Sequence, residues 1–338
     1  MGPRQGRHPV AAGAPRRGDR MMRALLLFLM LLSGAAQAQD FPARPPRLVA
    51  GFAAGGTLDI VARLMAEAMS PLLGQRVVVE NRPGANGLIA AEGVARGPAD
   101  GYALLVCPMG TMTISPQLPG AALPIDPPKD LVPVATMIAA QHAMVVAGNA
   151  PWHSVAELVA AARAGPGTVS YATAGAGSGQ QLSGAWLARL TGTEMTPVPY
   201  RGMAPAMPDI IAGRTGFAIT NIGDVAGQVA SGELRLLAVA SAGGSPLYPR
   251  APLLGEIVPG FEVSGWIGLC GPRGLPEPVV ARWAAAVAQA LEDPTILARL
   301  RDGGMTPRYE DAAGLARTMA ADRAKWGKVI REANIRAE

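Results

Sequence analysis

The chain contains a short apolar strand that runs into a turn of small residues and then into a helix, at residues 47–60. The turn, Ala53-Ala54-Gly55-Gly56, has no bulky side chain, so its N–H groups are accessible and the helix adds a positive dipole end. Such a turn is typical of a main-chain anion site. A second turn of this kind, at residues 172–179, again separates a strand from a helix. A Gly-Gly pair alone is often just a tight turn, but two such loops favour a cleft that closes on a small carboxylate.

Strand and helix patterns alternate along the rest of the chain, which predicts an α/β fold with parallel strands under helical cover. Residues 134–147 form an apolar run longer than most strands, and residues 261–271 are a second candidate for a strand that crosses between lobes. Two such connections between two α/β lobes make a hinge. The predicted first lobe is residues 39–143 together with 245–338, and the predicted second lobe is residues 144–244.

The N-terminus has the pattern of a secretory leader. Arg20 and Arg23 precede an apolar run, and Ala36-Gln37-Ala38 follows it, which is the order of a signal peptide cleaved after Ala38. The apolar run is too short to span a bilayer. Residues 1–38 contain six of the 30 basic residues and one of the 25 acidic ones, so the remainder holds 24 of each. A net charge near zero removes the main support for a nucleic-acid partner.

Catalytic and metal-binding signatures are scarce. After the leader only His142 and His153 remain, without a carboxylate set, so we expect no metal, no cofactor and no enzyme activity. The glycine-rich run at residues 175–179 has neither the first glycine of a nucleophile elbow nor the third glycine of a dinucleotide fingerprint. Cys107 and Cys270 each end an apolar run; export would permit a disulfide, but two buried free thiols are the favoured interpretation.

Individual polar residues near the loops have two possible roles. Asp59 is favoured as a capping carboxylate of its helix, and the alternatives are that it orders the loop or meets a cationic ligand group. Asn221 is either a turn residue or a polar contact at the cleft, and this choice stays open. Thr111 is a further cleft candidate. Phe52 and Trp266 are expected to pack in the core or hinge rather than to stack on a ligand.

The chain resembles the extracytoplasmic solute-binding receptors of tripartite tricarboxylate transporters, the Bug or TctC family. The resemblance implies a two-lobed periplasmic-binding-protein fold, type II-like, with two crossing strands at the hinge. It also implies a periplasmic location, a small carboxylate ligand, membrane subunits of a transporter as partners, and a monomer. The stretches that carry the resemblance cover nearly all of the chain after the leader: residues 41–45, 55–63, 74–85, 99–102, 199–202 and 232–238.

Carried over to this sequence, the resemblance places the ligand between a first loop at residues 52–57 and a second loop at residues 173–178. The chain departs from the family pattern at Ala53 and Ala54, where prolines are usual, and at Asn221, where many members have an aspartate. The asparagine is expected to disfavour a ligand with a cationic amine. The complete set of expected ligand-binding residues is Phe52, Ala53, Ala54, Gly55, Gly56, Thr57, Asp59, Thr111, Thr173, Ala174, Gly175, Gly177, Ser178 and Asn221.

An exported α/β protein with these loops could have one of three functions. The first is a periplasmic receptor that hands its ligand to a membrane transporter. The second is an exported sensor on the same fold, which would need the same lobe closure. The third is an exported α/β enzyme, which would need an acid–base or nucleophile set at the cleft, and the sequence offers none.

Overall fold

The computed structural model describes residues 41–336, together with Gly2. The predicted leader and its cleavage site at Ala38 lie outside the described residues. Within the described part of the chain, no helix combines the length and the apolar character needed to cross a membrane.

One curled, mixed sheet organises the fold, and its long strand β4 (Leu131–Ala147) belongs to both halves. The first part of β4 pairs with β9 (Ser264–Pro272) and β10 (Thr306–Asp311), and residues 142–147 pair with β7 (Ala218–Asn221) and β8 (Leu234–Val239). The segment that leads into β9 is also hydrogen-bonded to the segment that follows β8, and that segment is in turn hydrogen-bonded to β4. The N–H of Ala240, just after β8, donates to His142 O, and the N–H of Val263 donates to Ala240 O. Both predicted crossing segments therefore lie side by side at the middle of the molecule.

The two sets of parallel strands lie on either side of this central region. In the first half, β1 (Arg47–Ala50) lies between two parallel neighbours, β2 (Val78–Asn81) and β3 (Ala103–Pro108), and β3 continues the sheet to β9. In the second half, β5 (Ser170–Thr173) is parallel to β6 (Thr196–Pro199) and is linked to β7 by a parallel bridge between Tyr171 and Phe217. The prediction of parallel strands holds within each half, but the pairs formed by β4, β9 and β10 are antiparallel.

The helices cover this sheet, and four of those described begin at a side-chain cap. Ser154 and Ser178 each accept an N–H from the first turn of the following helix, a role that the sequence indicated for Ser154. The helices are α1 (Thr57–Leu73), α2 (Leu88–Ala95), α3 (Pro127–Asp130), α4 (Val155–Ala164), α5 (Gly179–Thr191), α6 (Met207–Ile211), α7 (Ile222–Ser231), α8 (Leu254–Ile257), α9 (Glu277–Ala290), α10 (Pro294–Asp302) and α11 (Ala312–Glu332), with a π-helical turn at Gly110–Ile114.

Two strand boundaries differ from the prediction for identifiable reasons. β4 begins at Leu131 rather than after Pro133, because a register shift between Pro133 and Ala135 accommodates the residue that has no N–H to donate. The strand β10 was not predicted. It is mostly polar and half exposed because it lies at the edge of the sheet against β4, so it lacks an apolar pattern.

The prediction of two free thiols is wrong. Cys107 on β3 and Cys270 on β9 form a disulfide, with their Cα atoms 5.9 Å apart and 163 residues between them in the sequence. Both are completely buried. The sequence places the two cysteines on separate apolar runs, and only the antiparallel pairing of β3 with β9 makes them neighbours. The disulfide therefore fastens the two strands at the centre of the first half.

Candidate functional site

A cavity with a free volume of about 80 Å³ opens where the carboxyl ends of β1, β5 and β7 meet the starts of three helices. The first turns of α1, α5 and α7 all contribute to its wall, so three positive helix ends converge on it. Residues from both glycine-rich loops line this one cavity. The two loops therefore face each other across it.

The first loop is fixed by Asp59 from behind. Its Oδ2 accepts the N–H of Gly55 at 3.0 Å and Nε of Arg63 at 3.0 Å, and its Oδ1 accepts Nδ2 of Asn81 at 2.9 Å. Burial, the largest single effect, would raise the pKa of this carboxyl, but the hydrogen bonds from Arg63, Gly55 and Asn81 together lower it. Asp59 is 4% exposed and does not line the cavity. It holds the loop in shape from outside.

A second carboxylate, Asp224 in the first turn of α7, sits at the N-terminus of α1. Its Oδ1 accepts both the N–H and the Oγ1 hydroxyl of Thr57, each at 2.8 Å. Its Oδ2 accepts the hydroxyl of Thr220 at 2.6 Å and the amide of Asn221 at 3.4 Å. Asp224 lines the cavity. Asp224 in the second half thus binds the N-terminus of α1 in the first half. This helix end is one of the two that the sequence analysis assigned to a ligand carboxylate.

The second loop is closed by a reciprocal cap. Ser178 Oγ accepts the N–H of Gln181 at 3.2 Å, and Gln181 Oε1 accepts the N–H of Gly177 at 2.7 Å. This resembles a capping box, except that the glutamine reaches the residue before the N-cap. The N–H groups of Gly179 and Gln180, in the first turn of α5, have no acceptor within residues 41–336. Both residues line the cavity. The free donors of the second loop therefore lie one or two residues beyond the predicted range.

Asn86 ties the second loop to the first half of the molecule. Its Nδ2 donates to Gly177 O at 2.8 Å and to Ser115 Oγ at 2.9 Å, and its carbonyl accepts the hydroxyl of Thr111 at 2.8 Å. The backbone of Asn86 is left-handed, with φ of 50°, which asparagine tolerates better than other non-glycine residues. Asn86 is 4% exposed and lines the cavity. It acts as a clamp that positions the start of α5.

The remaining wall comes from the two central strands. Burial lowers the pKa of His142 on β4 to about 4, so its imidazole is neutral at pH 7, and its Nδ1 contacts Ala140 O at 3.2 Å. Trp266 on β9 donates its Nε1–H to Asp322 at 2.7 Å. Neither Lys nor Arg is among the described residues that line the cavity. Its one carboxylate is that of Asp224.

Six of the expected ligand-binding residues line the cavity, and the other eight do not. Of these eight, Thr111 and Thr173 use their hydroxyls within the protein, on Asn86 O and on the N–H of Gly175. The residues that line the cavity are Phe52, Ala53, Gly56, Thr57, Ala174 and Asn221. The residues that do not line it are Ala54, Gly55, Asp59, Thr111, Thr173, Gly175, Gly177 and Ser178, of which Ala54 and Gly55 are exposed.

The sequence did not predict several cavity residues. The most important of them is Asp224, which is the carboxylate on the described cavity lining. The predicted helix began at Val225, whereas α7 begins at Ile222 and so includes Asp224 in its first turn. An acidic residue soon after the carboxyl end of a strand is the signal that could have found it. Asn86 could have been noted from its place in a turn-rich loop. The other missed residues, among them Gln180, His142 and Met203, carry no distinctive pattern. No group of His, Cys, Asp and Glu suited to a metal ion occurs in the described chain.

The chain is similar to known proteins over most of its length. The family model described as the tripartite tricarboxylate transporter family receptor matches residues 61–335. Rpa4515 of R. palustris, solved with adipate, is 34% identical, with a TM-score of 0.85 over 88% of this chain and 99% of that chain. MatC of Rhodopseudomonas palustris, solved with bound malate, is 33% identical, with a TM-score of 0.82 over 86% of this chain and 100% of that chain.

A third solved structure, that of the periplasmic binding protein BugD, is 30% identical, with a TM-score of 0.82 over 88% of this chain and 100% of that chain. These relatives share the two-lobed periplasmic-binding-protein fold over their whole lengths. The chain therefore belongs to the receptor family of the tripartite tricarboxylate transporters.

Proposed function

We propose that this receptor captures a small carboxylate in the cavity between its two glycine-rich loops and presents it to the membrane subunits of a tripartite transporter. The related proteins solved with adipate and malate support a carboxylate ligand. We further propose that the protein works in the periplasm, after removal of residues 1–38, and as a monomer. Sequencing of the mature N-terminus from a periplasmic fraction tests this location, and Gln39 is the expected first residue.

The observation that carries this proposal is the set of unpaired N–H groups on the cavity wall. Gly56 and Leu58 at the first loop, and Gly179 and Gln180 at the second, lack an acceptor within the described chain. Helix N-termini bind anions through such donors without any cationic side chain. The ligand-binding set that we propose therefore joins the six expected residues that line the cavity to Leu58, Asn86, Gly179, Gln180 and Asp224, and the other eight expected residues shape the loops without contacting the ligand.

We propose binding rather than catalysis because the two side chains of the cavity that could act as acid or base, Asp224 and His142, already contact other protein groups. Asp224 accepts four hydrogen bonds from the protein. His142 contacts a backbone carbonyl through Nδ1 and is not paired with a nucleophile in the described chain. General acid–base or nucleophilic chemistry would need such a pair within hydrogen-bond reach of the reacting group.

A thermal-shift screen of mono-, di- and tricarboxylates tests the proposal. A ligand at 100 times its Kd stabilises the fold by about 2.7 kcal/mol, which gives a clear rise in Tm. In the variant Gly56→Val the new side chain enters the cavity, since a Cβ there would lie 3.5 Å from Asp224 Oδ1, so the shift should disappear. Gly177 is a poor probe, because its φ of +77° and a Cβ only 2.7 Å from Ser115 Oγ would strain any substitution.

Gly227→Val is the matched control for this screen. Gly227 is on the exposed face of α7, and a Cβ there meets nothing within 4 Å. This variant should keep the full ligand shift. If no carboxylate shifts the wild type, or if Gly56→Val retains the shift, the proposed site is refuted.

A further inference from the structure

The cavity has an uneven charge distribution. Its described lining includes one carboxylate, Asp224, and neither Lys nor Arg, and its histidine, His142, is neutral at pH 7. A ligand carboxylate therefore meets only uncharged donors on the described lining. Any second negative charge on the ligand would share this small space with Asp224 and would meet no opposite charge on the lining.

Asp224 also decides which helix end is left for the ligand. At α1 its Oδ1 already occupies the N–H and hydroxyl of Thr57, each at 2.8 Å. The donors left at that end, the N–H groups of Gly56 and Leu58, flank Thr57 and so lie beside the negative charge of Asp224, which repels a ligand carboxylate. At α5 the N–H groups of Gly179 and Gln180 carry no protein acceptor in the described chain. A ligand carboxylate accordingly finds its best donors at α5, and the rest of the ligand faces Asp224.

The free capacity of Asp224 lies on Oδ2. That oxygen accepts a short hydrogen bond from Thr220, at 2.6 Å, but its contact with the Asn221 amide is 3.4 Å long, at the outer limit of a hydrogen bond. A donor on a ligand can share or replace this weak contact. The sequence led us to expect that Asn221, in place of an aspartate, disfavours a ligand with an amine. Asp224, three residues further on, supplies a carboxylate that can accept a hydrogen bond from such an amine.

From this arrangement, and resting on the proposed function, we infer that Asp224 is a specificity-determining residue. It selects a monocarboxylate that carries a hydrogen-bond donor, an ammonium or a hydroxyl, at its other end, and it rejects a dicarboxylate in the same pose. The ligand carboxylate binds at the start of α5, and the donor binds Asp224 Oδ2.

Two matched ligand series test the inference on the full-length mature protein by calorimetry. The first is butyrate, 4-hydroxybutyrate, 4-aminobutyrate and succinate, which share one skeleton and differ only at the far end. The second is hexanoate, 6-hydroxyhexanoate, 6-aminohexanoate and adipate. The hydroxyl or ammonium member should bind wild type about tenfold or more tightly than the diacid of the same series, and comparing these two members tells which donor is used.

The variant Asp224→Asn, which keeps the size of the side chain, should reverse this order. The diacid should gain about tenfold in affinity because the repulsion is gone, and the ammonium member should lose a similar factor. The matched control is Asp302→Asn on the exposed surface of α10, outside the cavity, which should keep the wild-type order.

The possible failures are distinguishable. A wild type that prefers the diacids, with an order unchanged in Asp224→Asn, overturns the selection rule but leaves carboxylate binding intact. A wild type that binds neither these series nor any carboxylate of the thermal-shift screen overturns both the selection rule and the proposed function.

Discussion

Replacement of Asn86 should separate two contributions to the free energy of unfolding, that of its side-chain hydrogen bonds and that of its left-handed backbone. The amide makes two hydrogen bonds, to Gly177 O and Ser115 Oγ, in a buried place. The backbone is left-handed, with φ of 50°. Loss of two neutral hydrogen bonds costs about 2 kcal/mol, and an alanine in the left-handed region costs about 1 kcal/mol more. We therefore expect Asn86→Ala to lower the free energy of unfolding by about 3 kcal/mol.

Asn86→Gly removes the same hydrogen bonds but relieves the backbone. Glycine loses more entropy on folding than alanine, by roughly 0.5–1 kcal/mol, but it adopts positive φ without strain. Set against the strain of about 1 kcal/mol in the alanine variant, this leaves the glycine variant equal in stability or up to about 0.5 kcal/mol more stable, whereas at an ordinary helical position alanine is the more stable of the two. Urea unfolding of the wild type and both variants measures the difference.

The chain provides a matched control at Asn334, which is also left-handed, with φ of 48°. No side-chain hydrogen bond of Asn334 occurs within the described residues, so Asn334→Ala should cost only the backbone part, about 1 kcal/mol. Both Asn86 variants should also weaken carboxylate binding, since Gly177 and the start of α5 lose their clamp, and Asn334→Ala should not. An Asn86→Ala protein clearly more stable than Asn86→Gly, with unchanged ligand affinity, would refute this reasoning.

Two further predictions concern the central strands. The disulfide closes a loop of 163 residues, for which chain entropy gives about 5 kcal/mol as an upper figure, so the double variant Cys107→Ala/Cys270→Ala should unfold at a clearly lower urea concentration. Wild type that has been unfolded, reduced and refolded keeps both sulfur atoms but lacks the disulfide, so its urea midpoint should fall in the same way. A midpoint that is unchanged in both proteins would contradict a stabilising cross-link. Burial lowers the pKa of His142 to about 4, so its stabilising contribution is complete above pH 6.5 and is lost as the pH falls towards 4. The stability difference between wild type and His142→Gln should therefore shrink by about 3 kcal/mol over this range, and a constant difference in urea titrations at several pH values would count against a neutral buried imidazole.

Local patterns predicted most elements of this fold. Ser154 marks the start of its helix because a cap is a local interaction within four residues. The long apolar run before residue 147 predicted the shared strand because no turn residue interrupts its later part. The loop at residues 52–57 was found because a strand, small residues and a helix follow one another directly.

Non-local pairing decided what could not be predicted. The disulfide depends on the neighbourhood of β3 and β9, which no short pattern reveals. The strand β10 is recognisable only through its partner β4. Asp224 and Thr57 are 167 residues apart, and their contact requires the closing of the two halves. The sequence therefore indicated the type of site and its loops, but not the carboxylate that already occupies one of them.

The shared strand β4 limits how a protein of this design can vary. Ala140 and His142, two residues apart, both face the cavity, as the alternation of side chains along a strand requires. An insertion of one residue before them would turn every following side chain to the opposite surface and would shift the pairing with β7 and β8 at once. New ligand preferences can therefore arise by exchanging side chains on β4, while changes of length are confined to the surrounding loops.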